Sequence, residues 1–393
     1  MLNKSQDKRK VNQIYNIIKK TINKNKASLH EPFFLHNEKK YLSRAIESNY
    51  VSTRGKYISE FSKGIKKITK SKYVVPVVNG TSALHISLKC LKINSNHEVL
   101  VPSLTFVATA NAISYLNANP HFVDCEESTL GVNADKLRLY LNKITTNSLK
   151  GCLNKKTKKI IRALIVTHVF GHPANLDKLK QLCNDFKIIL IEDAAGALGS
   201  FYKKKHVGTF GQFGILSFNG NKIITTGGGG VILANKKKDA VKAKHISSTA
   251  KVNHKWKYLH DEVGFNYRLP NLNAALGCAQ IKKLNTFIKK KRKLYKKYKK
   301  NFSQVNYISL FSEPKKCRSN YWLQTLILNK KNKKLRNKIL NYTNHKGLET
   351  RPTWCLLHKL KHFKNCQKMN LKISEDLEKR IINIPSGTQL INI

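Results

Sequence analysis

Ser217-Phe218-Asn219-Gly220-Asn221-Lys222, followed by Thr225-Thr226 and four glycines from Gly227 to Gly230, sets one lysine in an apolar, glycine-rich context. In a chain with 74 Lys and Arg a single lysine says little, yet this setting brings the backbone close to something. A lysine amine that loses water is less readily protonated and can form an imine with an aldehyde. The plainer alternative is a surface-loop lysine beside a turn. Upstream, Glu192-Asp193 close a very apolar strand and precede Ala194-Ala195-Gly196. A carboxylate there is costly unless a cation pairs with it. A protonated ring nitrogen would serve, and Asp193 would then keep that ring an effective electron sink; a helix cap or a buried ion pair is the alternative. Third, Gly80-Thr81-Ser82 forms a turn at a helix start, where exposed N–H groups and the helix dipole suit a phosphate. Such turns also serve merely as connectors.

Positioning these groups requires strands that end beside one another. Val74 to Val78 reads as a β-branched strand that stops at Asn79, and Ala83 to Leu91 follows with helical spacing. Strands are expected at Glu98–Val101, Pro120–Val123, Arg162–Val166, Lys187–Ile191, Phe213–Phe218 and Gly230–Ala234. Helices are expected at Ala108–Leu116 and Leu176–Phe186, after earlier ones at Val11–Ile22, Glu38–Glu47 and Gly55–Ile68. Strands alternating with helices predict an α/β fold with a mainly parallel sheet between helices, whose ligands collect at the carboxyl ends of the strands. Beyond about residue 245 the character shifts to one long Lys-rich helix, Leu272–Lys300, and strand-like runs such as Tyr321–Leu328. The expected division is a basic helical segment over 1–30, a large cofactor-binding domain over 31–245 and a smaller C-terminal α+β domain over 246–393.

The order of these features resembles fold-type I pyridoxal-phosphate enzymes, and within them the DegT/StrS class of nucleotide-sugar aminotransferases. The resemblance rests on Asn79 to His85, Pro102 to Thr109, Glu192 to Ala195, Ser217 to Lys222 and Gly264-Phe265-Asn266-Tyr267-Arg268, and spans the chain from about Glu31 onward. It implies that Lys222 holds pyridoxal 5'-phosphate as a Schiff base and, once displaced, shuttles a proton between the cofactor and the sugar C4. It further implies that Asp193 binds the pyridine nitrogen, Phe106 stacks on the ring, Thr81 and Ser82 offer backbone donors to the phosphate and Ser217 its hydroxyl. Asn266 would reach the phosphate of a partner subunit, making the active sites depend on a homodimer. The implied reaction is an amino transfer from a donor such as glutamate to a nucleotide-linked 4-keto sugar. His260 to Gly264 and Asn271 to Gln280 look closest to the branch that aminates UDP-linked 2-acetamido-2,6-dideoxy-4-keto sugars, on the way to bacillosamine or legionaminic acid; GDP- and dTDP-linked sugars are the alternatives. A dehydratase branch of the family carries His in place of the lysine, which Lys222 argues against. Two positions depart from the pattern. Gly196 stands where many relatives have Gln near the cofactor hydroxyl, and Gly228 where relatives often have Glu. Sugar contacts are expected from loops such as Arg351-Pro352-Thr353-Trp354.

The formal net charge of +52 motivates a rival of another class, a non-catalytic nucleic-acid-binding or regulatory protein on this fold. Against it, Arg is scarce beside Lys, whereas base readers use Arg's planar fork, and no helix-turn-helix segment precedes the fold. A solvated lysine surface, with no specific nucleic-acid partner, is the expectation. A hydrophobic fraction of 41% is too high for general disorder. The eight cysteines show neither C-x-x-C nor zinc spacing, so no metal site is expected; with a polar Met1–Lys10 and no membrane-length apolar run, they predict a cytoplasmic protein with reduced thiols.

Overall fold

The computed structural model describes residues 2–35, 37–148 and 151–392. The main sheet contains β1 (Tyr73–Val77), β2 (His97–Pro102), β3 (Asn119–Val123), the hairpin β4 (Thr145–Ser148) and β5 (Gly151–Asn154), then β6 (Ile160–Thr167) and β7 (Ile189–Asp193). The short β8 (Phe201–Tyr202) and β9 (Lys205–His206) lie outside it, and β10 (Phe213–Ser217) and β11 (Gly230–Ala234) complete it. Its order is β1-β11-β10-β7-β6-β2-β3, with β5 on β6. β3, β2, β6, β7 and β10 run parallel, while β11 is antiparallel to both β10 and β1. The reversal of β11 matters, because it puts the start of that strand, Gly230, opposite both Ser217 and Val77. The ends of β1, β2, β6, β7 and β10 therefore share one edge with the glycine run.

The parallel strands are apolar on both faces, as a sheet covered by helices requires. A second, antiparallel sheet joins β12 (Ile308–Leu310), β14 (Gln324–Leu328), β16 (Ile381–Ile384) and β15 (Arg351–Pro352) in that order, and β13 (Cys317–Arg318) pairs with β8. The N-terminal helix Leu2–Ile22 places Val11, Ile14, Ile18 and Ile22 on one stripe. That stripe packs with Leu294, Tyr298, Leu326, Ile339 and Ile384, so the N-terminal segment shares the core of the C-terminal sheet.

The expected single helix Leu272–Lys300 is two, Asn271–Ile281 and Leu284–Asn301, broken at Lys282-Lys283. Ala274, Ala275 and Cys278 of the first join the core of the large sheet with Phe61; the second starts in that same core with Leu284, Phe287 and Ile288 and reaches the core of the small sheet only at Leu294 and Tyr298. Strand β14 begins at Gln324 rather than Tyr321, because Tyr321 takes a left-handed conformation with φ 51° and turns the chain.

Candidate active site

The carboxyl edge of the sheet opens into a cavity of about 380 Å³ that holds Thr81, Phe106, Asp193, Ser217 and Lys222 together. At its base is the helix Gly80–Cys90. Asn79 caps it, its Oδ1 accepting from the Ser82 N–H at 2.7 Å. The N–H groups of Gly80 and Thr81, in the first turn, have no acceptor within the helix and line the cavity with the Ser217 side chain. Ser82 departs from expectation: its N–H is spent on the cap, its side chain is buried, and it does not line the cavity. Gly80 is where it is because a side chain there would press on Ser217, with a Cβ 3.1 Å from the Ser217 Cβ. At Gly230 a Cβ would run into the Asn79 carbonyl oxygen, so β11 can come this close to the cap only as glycine.

The two acids at the end of β7 part company. Both lie within the strand, whose alternation sends consecutive side chains to opposite faces. Glu192 is fully buried away from the cavity, accepting from the N–H groups of Gly208 at 2.7 Å, Phe210 at 2.6 Å and Gly211 at 2.8 Å. Burial alone would raise its pKa, but His168 and those N–H groups outweigh it and hold it below the ordinary carboxylate value. The His168 Nδ1 accepts from the Ala174 N–H, which leaves Nε2–H to donate to Glu192 at 3.1 Å. Glu192 is thus a fold-building residue.

Asp193 faces the cavity at 6% exposure. Its Oδ2 accepts from the Thr109 hydroxyl at 2.8 Å and its Oδ1 from the Ala195 N–H at 3.1 Å. Thr109 was no candidate from sequence, although the flagged run Pro102 to Thr109 ends on it. Thr105 bridges Thr109 and Thr167 through hydroxyl contacts of 3.3 and 2.9 Å, tying β2 and β6 to the acid. Among the described residues no cation lies within ion-pair distance of Asp193. A buried carboxylate in that state suits a cationic ligand atom.

Lys222 sits in the β10–β11 loop with its amine 3.8 Å from the centre of the Trp322 ring, a cation–π geometry. Burial pulls its pKa down from 10.5 to about 8, against the opposing pull of Asp193. Trp322, at 6% exposure, is held at both ends. Its indole N–H donates to the Asn221 carbonyl at 2.7 Å, and its own carbonyl accepts from Lys291 at 2.9 Å. The indole also explains the departure at Gly196: a Cβ there would lie 2.9 Å from Cζ3 and 3.1 Å from Cδ2 of Trp322, and closer still to Cε3. The space that a side chain at 196 would need is filled by Trp322 from across the chain. Gly228 is different, with only the Val78 carbonyl oxygen near its missing Cβ, at 3.8 Å.

Phe106 is half exposed at the mouth, 6.4 Å from Trp354, which in turn packs 5.0 Å from Phe170. Trp354, from the loop flagged for sugar contacts, does line the cavity. Asn266 does not. It is exposed, pairs as a bridge with Ser248, and stands outside the cavity of its own chain.

Residues 35–392 match the model of the DegT/DnrJ/EryC1/StrS aminotransferase family. The chain is 34% identical over 364 residues to the GDP-perosamine synthase of Escherichia coli O157:H7, covering 93% of this chain and 94% of that one. It is 33% identical over 269 residues to the UDP-4-amino-4,6-dideoxy-N-acetyl-beta-L-altrosamine transaminase of Campylobacter jejuni, covering 68% of this chain and 67% of that one. In fold it is similar to the aminotransferase TlmJ from Streptoalloteichus hindustanus, with a TM-score of 0.84 at 22% identity over 93% of this chain and 95% of that one. With catalysis thus assigned, the non-catalytic binder suggested by the charge gives way. The chain belongs to the DegT/DnrJ/EryC1/StrS aminotransferase family, and is a pyridoxal-phosphate-dependent aminotransferase.

Proposed function

We propose that this enzyme transfers an amino group from glutamate to C4 of a nucleotide-linked 4-keto-6-deoxy sugar, with a UDP-linked 2-acetamido-2,6-dideoxy hexos-4-ulose as the acceptor. The observation that carries the site assignment is the pairing, in one cavity, of a lysine amine whose pKa burial lowers to about 8 and a buried carboxylate that makes no ion pair among the described residues. The residues present fit the cofactor: Gly80 and Thr81 N–H groups and the Ser217 hydroxyl would hold the phosphate, and Asp193 the ring nitrogen. When bound, pyridoxal phosphate supplies an aldehyde and an electron sink.

The remaining work belongs to the chain. A Lys222 amine titrating near 8 is neutral in about a quarter of molecules at pH 7.5, against about one in a thousand for an unperturbed lysine, so it can take and return a proton at neutral pH. Asp193, held by Thr109 and Ala195, keeps its charge directed into the cavity. Trp322 places the free amine over its ring face instead of in water. Phe106 would stack on the cofactor ring, and Trp354 would border the sugar. Asn266 of the partner subunit would complete the phosphate site, which makes the working form a homodimer. The eight free cysteines accord with the cytoplasm.

The UDP assignment rests on His260 to Gly264 and Asn271 to Gln280. A GDP-linked acceptor is the second reading, favoured by the relative named GDP-perosamine synthase. Product analysis with UDP-, GDP- and dTDP-linked 4-keto sugars and glutamate separates them. Turnover of a GDP or dTDP sugar with the UDP-linked N-acetyl substrate ignored would overturn the UDP reading.

A further inference from the structure

The four glycines Gly227 to Gly230 are there for different reasons. Gly227 has a φ of +78°, where a side chain is strained. At Gly229 a Cβ would run into the Thr226 hydroxyl oxygen and lie 3.3 Å from Leu269 Cδ1, and at Gly230 it would meet the Asn79 carbonyl. The fold itself requires these three. Gly228 it does not require. Its φ lies outside the left-handed region, and its missing Cβ would have one neighbour within 4 Å, the Val78 carbonyl oxygen at 3.8 Å, an ordinary contact. Glycine loses more backbone entropy on folding than alanine does, so a glycine that no neighbour demands costs stability for nothing in the protein. The open space at Gly228 faces the active-site cavity, which this residue lines. Half-buried between exposed Gly227 and buried Gly229, it stands where the cavity meets solvent. Because Gly230 is the residue opposite Ser217 and Val77, Gly228 lies two residues beyond the strand ends that carry the phosphate cradle.

The hydrogen bonding of Gly228 is one-sided. Its carbonyl accepts from the Thr226 hydroxyl at 2.8 Å and from the Asn273 side-chain amide at 3.0 Å, which uses both lone pairs. Asn273 also donates to the Thr226 carbonyl at 2.7 Å, so the turn is held in place. The Gly227 N–H donates to Thr225 Oγ1 at 2.9 Å, but the Gly228 N–H has no acceptor among the described residues. Gly228 therefore has donation alone to offer. A ligand hydroxyl bound there would find no acceptor for its own proton in that peptide group, whereas an anionic oxygen carries no proton and makes the stronger bond. Asp193 is the one acid among the residues lining the cavity, so a second anion meets little repulsion.

We propose that Gly228 is a specificity-determining residue of the acceptor half-reaction: its N–H binds an oxygen of the nucleotide's diphosphate, and its missing side chain leaves the room for that group. This rests on the nucleotide-sugar reading above. The diphosphate suits the place better than a carboxylate of the amino donor does. The donor is small enough to lie wholly inside beside Lys222, whereas the acceptor must run from its ketone at Lys222 out to a nucleotide and so crosses the mouth. The cofactor phosphate has donors of its own in Gly80, Thr81 and Ser217.

Gly228→Ala adds one methyl group that the protein accommodates, so the cofactor-free variant should unfold at a urea concentration no lower than wild type. Its affinity for pyridoxal phosphate, and the rate at which glutamate discharges the absorbance band, should stay within about twofold. With the nucleotide-linked keto sugar that wild type turns over, kcat/KM of the second half-reaction should fall about 10- to 100-fold, mainly through KM. Calorimetry should show the aminated nucleotide sugar, and the matching nucleoside diphosphate that lacks the sugar, binding more weakly by a similar factor. An unchanged acceptor step, a loss confined to the glutamate step, a weaker hold on pyridoxal phosphate, or nucleoside diphosphate binding that the methyl group leaves intact would each overturn the assignment. A lowered urea midpoint would show that the fold needs this glycine after all, and would overturn it too. A wild-type enzyme that glutamate loads but no nucleotide-linked keto sugar discharges would overturn the substrate reading itself, and this proposal with it.

Discussion

Gly196→Ala is the smallest change that tests whether Trp322 occupies the place of a missing side chain. The new methyl group would sit 2.9 and 3.1 Å from two indole carbons and nearer to a third, well inside contact distance. Trp322 cannot swing away cheaply, being nearly buried and bonded at its indole N–H and its carbonyl. Overpacking of this kind costs about 1–3 kcal/mol. Trp322→Leu alone removes most of a buried indole, at a cost of about 3 kcal/mol, but clears the ring atoms that meet the methyl. In the double variant the methyl fills part of the space left behind. The two changes should therefore combine to less than their sum, by about 1–2 kcal/mol. Urea unfolding of cofactor-free protein, followed by far-UV circular dichroism because a tryptophan is being removed, gives the four stabilities. Additive costs, or a harmless Gly196→Ala, would refute the idea that the indole takes that space.

Lys222→Met should stabilise the cofactor-free enzyme at pH 7, because the wild-type amine must be charged in a site that disfavours charge. The fall from 10.5 to about 8, at about 1.4 kcal/mol per pH unit, sets a ceiling of about 3 kcal/mol, and the lost cation–π contact brings the net gain to about 1–2 kcal/mol. Between pH 8 and 10.5 the unfolded chain binds more protons at this lysine than the folded one, so wild-type stability rises with pH relative to Lys222→Met and the gap closes; urea midpoints at pH 7 and 10 with an unchanging gap would contradict this. Thr109→Val should cost about 1–3 kcal/mol by stripping a donor from the Asp193 carboxylate, while Thr109→Ser should cost under about 1 kcal/mol. Equal losses in these two variants, measured by the same unfolding assay, would show that the methyl and not the hydroxyl matters.

What could be read in the sequence was what local pattern determines. β-Branched runs that end in Asn79, in Asp193 and in Ser217 mark strand ends, and parallel strands deliver their ends to one edge, so Thr81, Asp193, Ser217 and Lys222 met as expected. The break between Ile281 and Leu284 left no such mark, since lysines fit the middle or the end of a helix equally well. Ser82 was grouped with Thr81 because both follow the glycine, yet which N–H the Asn79 cap consumes is a matter of geometry. Trp322, 100 residues downstream of Lys222, could not be placed above it by any periodicity. The one available hint was Gly196, a vacancy in an otherwise matching motif, which signals that something distant moves in.

One lysine among dozens, Lys222, is proposed to carry the cofactor. Borohydride reduction of the pyridoxal-phosphate-loaded enzyme, followed by peptide mass spectrometry, tests it most directly. If Lys222 carries the cofactor, the cofactor's mass will be fixed on the peptide containing Lys222, and the yellow band and the label will both be lost in Lys222→Ala. Label on a different lysine, or an undiminished label in Lys222→Ala, would contradict it.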